Sequence, residues 1–259
     1  MLDEILKKGK ATLEAVTGVH WWNEHLFTFK TTKPRGYSFM AGQYARLGVP
    51  GEHDVIWRAY SMVSAPHEDF LEFYGIVVPG GLFTSRARQL EAGSPILLEK
   101  QSFGFMTADR FEDGEDLWML ATGTGIGPFI SILRDPYVWS KFRRLFLVHG
   151  VRHVEELAYQ EQLSMLEKQV SSPARFRLIQ TVTRTPDAAP PRLKGRITAL
   201  LENGELERAA GLPLTEQASR IMLCGNPDMI EDTRAILHQR GMRPCRRAHP
   251  GQFVTENYW

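Results

Sequence analysis

Apolar residues recur in short alternating runs over residues 11–100 and gather into solid apolar strings, separated by helix-period stretches, over the remainder. In the first part the runs at 25–32, 43–49, 55–63, 71–78 and 96–100 are rich in Val, Tyr, Phe and Thr and are broken by Gly and Pro. That pattern predicts an antiparallel β-barrel. From Asp116 onward, apolar strands at 117–122, 144–151, 176–183 and 220–224 alternate with helical stretches at 128–133, 155–169, 197–203 and 227–240. Alternation of this kind predicts a parallel α/β sheet. The grammar changes between about 105 and 115, so two domains are expected, a barrel over 1–107 and an α/β domain over 113–259. Residues 187–193, rich in proline and alanine, read as a loop inside the second domain.

Composition narrows the partners. The chain has 259 residues, more than one typical domain of roughly 100 to 200. Its 31 basic and 30 acidic residues leave a net charge of +1, so no global field gathers nucleic acid or an anionic membrane. Two cysteines, Cys224 and Cys245, are too few for a four-thiolate iron–sulfur cluster and badly spaced for zinc, so no metal is expected. The N-terminus lacks a signal-peptide core and no run approaches the ~18 apolar residues of a membrane span. A protein of the reducing cytoplasm, monomeric and without a membrane partner, is the expectation.

Candidate chemistry in the first half centres on Arg58-Ala59-Tyr60-Ser61. In a strand, Arg58 and Tyr60 share one face, Ala59 and Ser61 the other, unless a twist or bulge brings all four around one ligand. The guanidinium suits a diphosphate, the phenol ring suits stacking on a flavin, and the serine hydroxyl can reach the flavin N5 region. Seen alone, the four residues read as an ordinary barrel strand. Downstream, Gly80-Gly81-Leu82-Phe83-Thr84-Ser85 leads into a helix-compatible stretch at 86–90. A Thr/Ser-capped helix start there would aim free backbone N–H groups at an anion.

In the second half, Gly123-Thr124-Gly125-Ile126-Gly127-Pro128 follows an apolar strand and opens a helix, with proline where the first helical turn favours it. Such a turn lets backbone approach a ligand phosphate at the carboxyl end of a parallel strand. Its alternate glycines differ from the Gly-x-Gly-x-x-Gly dinucleotide fingerprint. Arg152, Arg184 and Arg196 then recur near equivalent strand ends, where arginine favours the 2′-phosphate of NADP over the bare ribose of NAD. Cys224-Gly225-Asn226-Pro227-Asp228-Met229 ends a further strand in a turn, and the closing Tyr258-Trp259 pair suggests a tail tied down by stacking.

Taken in order, Arg-x-Tyr-Ser, Gly-Gly-Leu-Phe-Thr-Ser, Gly-Thr-Gly-Ile-Gly-Pro, Cys-Gly-Asn-Pro-Asp-Met and terminal Tyr-Trp resemble the bacterial ferredoxin/flavodoxin–NADP reductases, from about residue 39 to the C-terminus. The resemblance implies a flavin-binding barrel, an NADP-binding α/β domain and FAD at their interface. It implies FAD contacts from Arg58, Ala59, Tyr60, Ser61, Tyr74, Gly75, Ile76, Val77, Leu82, Phe83, Thr84, Thr124, Tyr258 and Trp259. It implies NADP contacts from Gly123, Thr124, Gly125, Arg152, Thr183, Arg184, Arg196 and Asp228, and it places Ser61, Cys224 and Glu256 around the hydride-transfer site. Trp259 would cover one flavin face and move before hydride transfer. The implied activity exchanges a hydride with NADP(H) and single electrons with ferredoxin or flavodoxin, which are acidic carriers. Free-flavin reductases and oxygenase reductase components share the two-domain plan, and a non-catalytic FAD-binding redox sensor is the alternative of another class.

Overall fold

The computed structural model describes residues 6–7, 9–51, 54–168, 174–185, 192–246 and 249–257. The chain divides into two compact units, one of Met1–Thr107 with Ile130–Asp135 and one of Ala108–Phe129 with Pro136–Trp259.

The first unit is built on β1 (Ala11–Trp21), β2 (Leu26–Thr32), β3 (Tyr44–Pro50), β4 (Val55–Ser61), β5 (Phe70–Ile76) and β6 (Pro95–Phe103), with the short helix α1 (Leu82–Ala87). The strands form one antiparallel sheet in the order β4-β3-β6-β1-β2-β5. β1 makes the corner: residues 11–15 pair with β6, residues 16–21 pair with β2, and the register shifts between Val16 and Gly18. A bulge at that point bends the strand and lets the sheet curl. The sheet's two ends approach through the bridge between Met62 and Phe73 and a 2.8 Å bond from Val63 N–H to the Glu72 carbonyl. Phe27, Phe29, Leu47, Phe73, Phe83 and Leu98 fill the barrel-like interior. Ser131 and Arg134 belong to this unit as well, bonding the Ser64 carbonyl at 2.7 Å and Glu72 at 2.8 Å.

The second unit carries β7 (Asp116–Thr122), β8 (Arg144–Val151), β9 (Arg175–Val182), β10 (Leu193–Lys194), β11 (Ser219–Gly225) and β12 (Phe253–Asn257). Between them in the chain run α2 (Gly127–Arg134), whose residues from Ile130 onward belong to the first unit, α3 (Pro136–Lys141), α4 (Gln160–Lys168), α5 (Ile197–Glu202), α6 (Glu205–Ala210) and α7 (Pro227–Gln239). All six strands are parallel, in the order β10-β9-β8-β7-β11-β12. The chain winds outward from β7 to β10 and then returns to the other side of β7. The carboxyl ends of β7 and β11 therefore form the switch point where open α/β sheets bind ligands. One face of the sheet packs Trp118 flat on Phe146 at 4.5 Å between ring centres, with Leu120, Val148, Ile221, Leu223 and Phe253 in the same core.

Three expectations need correction. The helix expected at 155–169 is broken: a 3₁₀ turn at Val154–Glu156 is followed by buried Leu157 and Ala158, and Tyr159 turns the chain with φ 61° before α4 begins. The first-domain helix starts at Leu82, not 86, and its cap is Gly81 without a side-chain bond rather than Ser or Thr. The Thr84 hydroxyl instead bonds the Val78 carbonyl and amide at 3.1 and 3.2 Å, closing the preceding turn onto the helix. Strand β12 was not foreseen, and it holds residues 253–257 by parallel pairing with β11. Most of the expected 187–193 loop, together with Tyr258 and Trp259, lies outside the described residues, and Leu193 begins β10.

Candidate active site

In the first unit the Arg58 to Ser61 segment does not alternate. Arg58 and Ala59 are both exposed and Tyr60 and Ser61 are both buried, because the edge strand β4 has its carboxyl end tucked under its neighbours. Tyr60 packs on Phe83 at 5.1 Å and Phe29 at 6.1 Å between ring centres. Gly75 is glycine for this reason, since a Cβ there would lie 2.9 Å from the Tyr60 ring. Burial pushes the Tyr60 phenol up, so it stays protonated. Among the described residues the Arg58 guanidinium bonds only the Trp57 carbonyl, at 2.8 Å, and makes no ion pair. Nearby in sequence, α1 leaves the amides of Leu82, Phe83 and Thr84 without intrahelical acceptors.

In the second unit the two expected turns interlock at the switch point. Gly123 has φ +53° and open space where a side chain would stand, so its outer face is available to a ligand. Gly125 serves packing instead: a Cβ would lie 2.5 Å from the Cys224 carbonyl oxygen. Gly225, with φ +131°, is pressed against Thr122 in the same way, and the Asn226 amide donates to the Thr122 hydroxyl at 2.8 Å. Asn226 then caps α7 by accepting from the Asp228 and Met229 amides at 2.8 and 3.2 Å, with Pro227 in the first turn. Thr124 is 2% exposed and its hydroxyl has no partner among the described residues.

Cys224 and Glu256 are register partners on β11 and β12, which sets thiol and carboxyl side by side. Burial pushes the Glu256 carboxyl up to about 7. Burial first, and the adjacent Glu256 second, push the Cys224 thiol well up, so it is neutral and not a thiolate nucleophile.

The arginines lie along the same carboxyl edge. The Arg184 amide donates to the Arg152 carbonyl at 2.7 Å and the Thr183 amide to the Val151 carbonyl at 3.1 Å, which places Thr183 and Arg184 beside Arg152. Arg196 caps α5 through its backbone, after the Thr181 hydroxyl has bonded the Gly195 carbonyl at 2.5 Å. Arg184 and Arg196 are exposed and have no carboxylate partner among the described residues. Arg152 differs, being ion-paired to Glu156 at 2.9 Å. Sequence reading passed over Glu156, because the pair spans a strand end and a 3₁₀ turn rather than a helix face. It also passed over His149, whose ring reaches the Gly123 carbonyl at 3.0 Å. Arg143 and Arg144, a basic pair on the surface, are tied to Glu115 and Asp116 at the opposite, amino end of the sheet.

A ligand turn at the switch point of a parallel sheet, with basic residues along its carboxyl edge, defines a nucleotide-binding oxidoreductase class, and the family model for the oxidoreductase NAD-binding domain matches residues 119–235. The chain is 40% identical over 245 residues to the flavodoxin/ferredoxin–NADP reductase of Escherichia coli, covering 94% of this chain and 97% of that one. It is 37% identical over 250 residues to the ferredoxin–NADP reductase of Pseudomonas aeruginosa, covering 94% and 95%. A crystal structure of a ferredoxin NADP+ reductase from Neisseria gonorrhoeae with bound FAD and NADP superposes with a TM-score of 0.91 at 38% identity, over 96% of this chain and 99% of that one. The chain belongs to the ferredoxin/flavodoxin–NADP reductase family.

Proposed function

We propose that this protein binds FAD and NADP(H) and moves electrons between NADP(H) and ferredoxin or flavodoxin, working as a cytoplasmic monomer. The observation that carries the reading is the carboxyl edge of the parallel sheet, where an open glycine turn, the Cys224–Glu256 pair and the exposed arginines of adjacent strands fall together. The residues present fit the cofactors: Thr124 has an orphaned buried hydroxyl, Gly123 an open face, and Arg58 a guanidinium without a counter-ion among the described residues.

When bound, FAD accepts a hydride from NADPH and gives up its electrons singly, chemistry that belongs to the cofactor. Arg58 and the first-turn amides of α1 hold its diphosphate, while Tyr60, Ser61, Tyr74, Gly75, Ile76, Val77, Leu82, Phe83 and Thr84 shape its seat. Gly123, Thr124 and Gly125 receive the dinucleotide, Asp228 lies toward its nicotinamide side, and Arg152, Thr183, Arg184 and Arg196 receive its adenosine phosphate. Glu256, poised near neutrality, holds and releases a proton beside the reacting atoms, and the neutral Cys224 keeps water from them. By the family resemblance, Tyr258 and Trp259 would contact the flavin.

The arginine assignment has a direct test. Arg184→Ala and Arg196→Ala should each cost about 1.5–3 kcal/mol of NADPH binding, the worth of a hydrogen bond to a charged group, and should leave NADH nearly unaffected. Equal losses for NADPH and NADH in steady-state kinetics would overturn it.

A further inference from the structure

His149 lies on β8 beneath the glycine-rich turn and is 0% exposed. Its Nε2 is 3.0 Å from the Gly123 carbonyl oxygen, and its Nδ1 has no partner among the described residues. A carbonyl only accepts, so Nε2 must carry the proton and Nδ1 must be bare. Burial lowers the imidazole pKa to about 4, which the bond to Gly123 and the charge of Glu156 resist without reversing, so the ring is neutral near pH 7.

Gly123 is the first residue of the turn and is left-handed, with φ +53°. The carbonyl that His149 holds belongs to that residue, so the bond fixes the orientation of the peptide leading into Thr124. We propose that His149 is a positioning residue for dinucleotide binding, its ring N–H clamping the Gly123 carbonyl so that the turn keeps its open face outward. The inference rests on reading the turn as the dinucleotide seat. It also carries a signature distinct from that of the arginines. The turn serves what NADP and NAD share, so loss of the clamp weakens both nucleotides by the same factor and leaves their ratio alone.

Two substitutions separate the bond from the bulk. His149→Gln can place an amide N–H near the Nε2 position, whereas His149→Asn reaches only the Nδ1 position. Dissociation constants of NADP+ and NAD+, measured by calorimetry on the flavin-loaded protein, should rise about 3- to 10-fold in His149→Asn, the worth of one neutral hydrogen bond. The NADP+ to NAD+ ratio should not change, and His149→Gln should return both constants to near wild type. In nucleotide-free protein, amide exchange of residues 124–126 should be faster in His149→Asn alone. Unchanged constants and exchange in both variants would overturn the proposal, as would a loss confined to NADP+. If His149→Asn fails to fold, the wild-type imidazole ¹⁵N spectrum decides: a neutral ring protonated at Nε2 is expected at pH 6, and a ring protonated at Nδ1 or doubly protonated overturns the proposal. A wild type that binds neither nucleotide would sink the dinucleotide reading, while the exchange and ¹⁵N measurements would still decide whether His149 clamps the turn.

Discussion

Arg152 does not stand free at the sheet edge. Glu156 accepts from its backbone amide at 2.9 Å and from its guanidinium at 2.9 and 3.1 Å, so the cation is aimed before any nucleotide arrives. Burial works against the ionised Glu156, but the bonds from Arg152 and from the His153 amide hold its carboxyl below the usual range. An arginine half in solvent gains about 1 kcal/mol or less from such a pair. Glu156→Ala should therefore weaken NADPH binding only a few-fold with little change in kcat, and a large fall in kcat would contradict a purely orienting role. Glu256 has the opposite sign. Its carboxyl, raised by burial from 4.5 to about 7, favours folding in its protonated form. That contribution is complete below about pH 4.5 and is lost as pH rises through about 7. The stability of the wild type relative to Glu256→Gln should decline across that window in thermal melts, and a flat difference would contradict the buried-acid assignment. The resemblance placed Glu256 at the hydride-transfer site, whereas Glu156 was passed over. Glu156 was hidden because 155–169 reads as continuous helix, and the partnership of Glu256 with Cys224 exists only through a strand pairing that spacing cannot show.

The two glycine turns are one device. Gly125 lies against the Cys224 carbonyl and Gly225 against Thr122, so the ends of β7 and β11 approach more closely than side chains allow. Gly123 needs glycine only for its backbone. Gly123→Ala should cost about 1–2 kcal/mol in urea unfolding, the price of a left-handed alanine. Gly225→Ala meets the same backbone penalty plus a collision with Thr122, and it should cost more; the reverse order would contradict the interlock. The sequence shows these glycines as ligand-binding punctuation and cannot show that Gly125 and Gly225 serve packing. The strands with strong apolar runs were legible to within a few residues at their ends. β1, β10, β12 and the short helices α3 and α6 were not, because their few apolar positions are buried by neighbours distant in sequence rather than by their own periodicity.

Over the whole molecule, the change from alternating runs to apolar strings foretold a β unit followed by an α/β unit, because side-chain period reports which faces are buried. The family was legible from motifs that are each weak and that gain force from their order. The switch point follows from strand order: the return of β11 to the side of β7 creates it, and no local run of residues contains that information. Among the described residues no helix is long and apolar enough to cross a membrane, and no group of three His, Cys, Asp or Glu side chains is placed to hold a metal ion. The proposed chemistry rests on the flavin and the nicotinamide. Anaerobic mixing of the purified yellow protein with NADPH and, separately, with NADH tests that most directly. Fast bleaching of the flavin absorbance by NADPH with a much slower response to NADH is the expected result; a protein that retains no flavin, or one that NADPH and NADH bleach equally or not at all, would contradict the account.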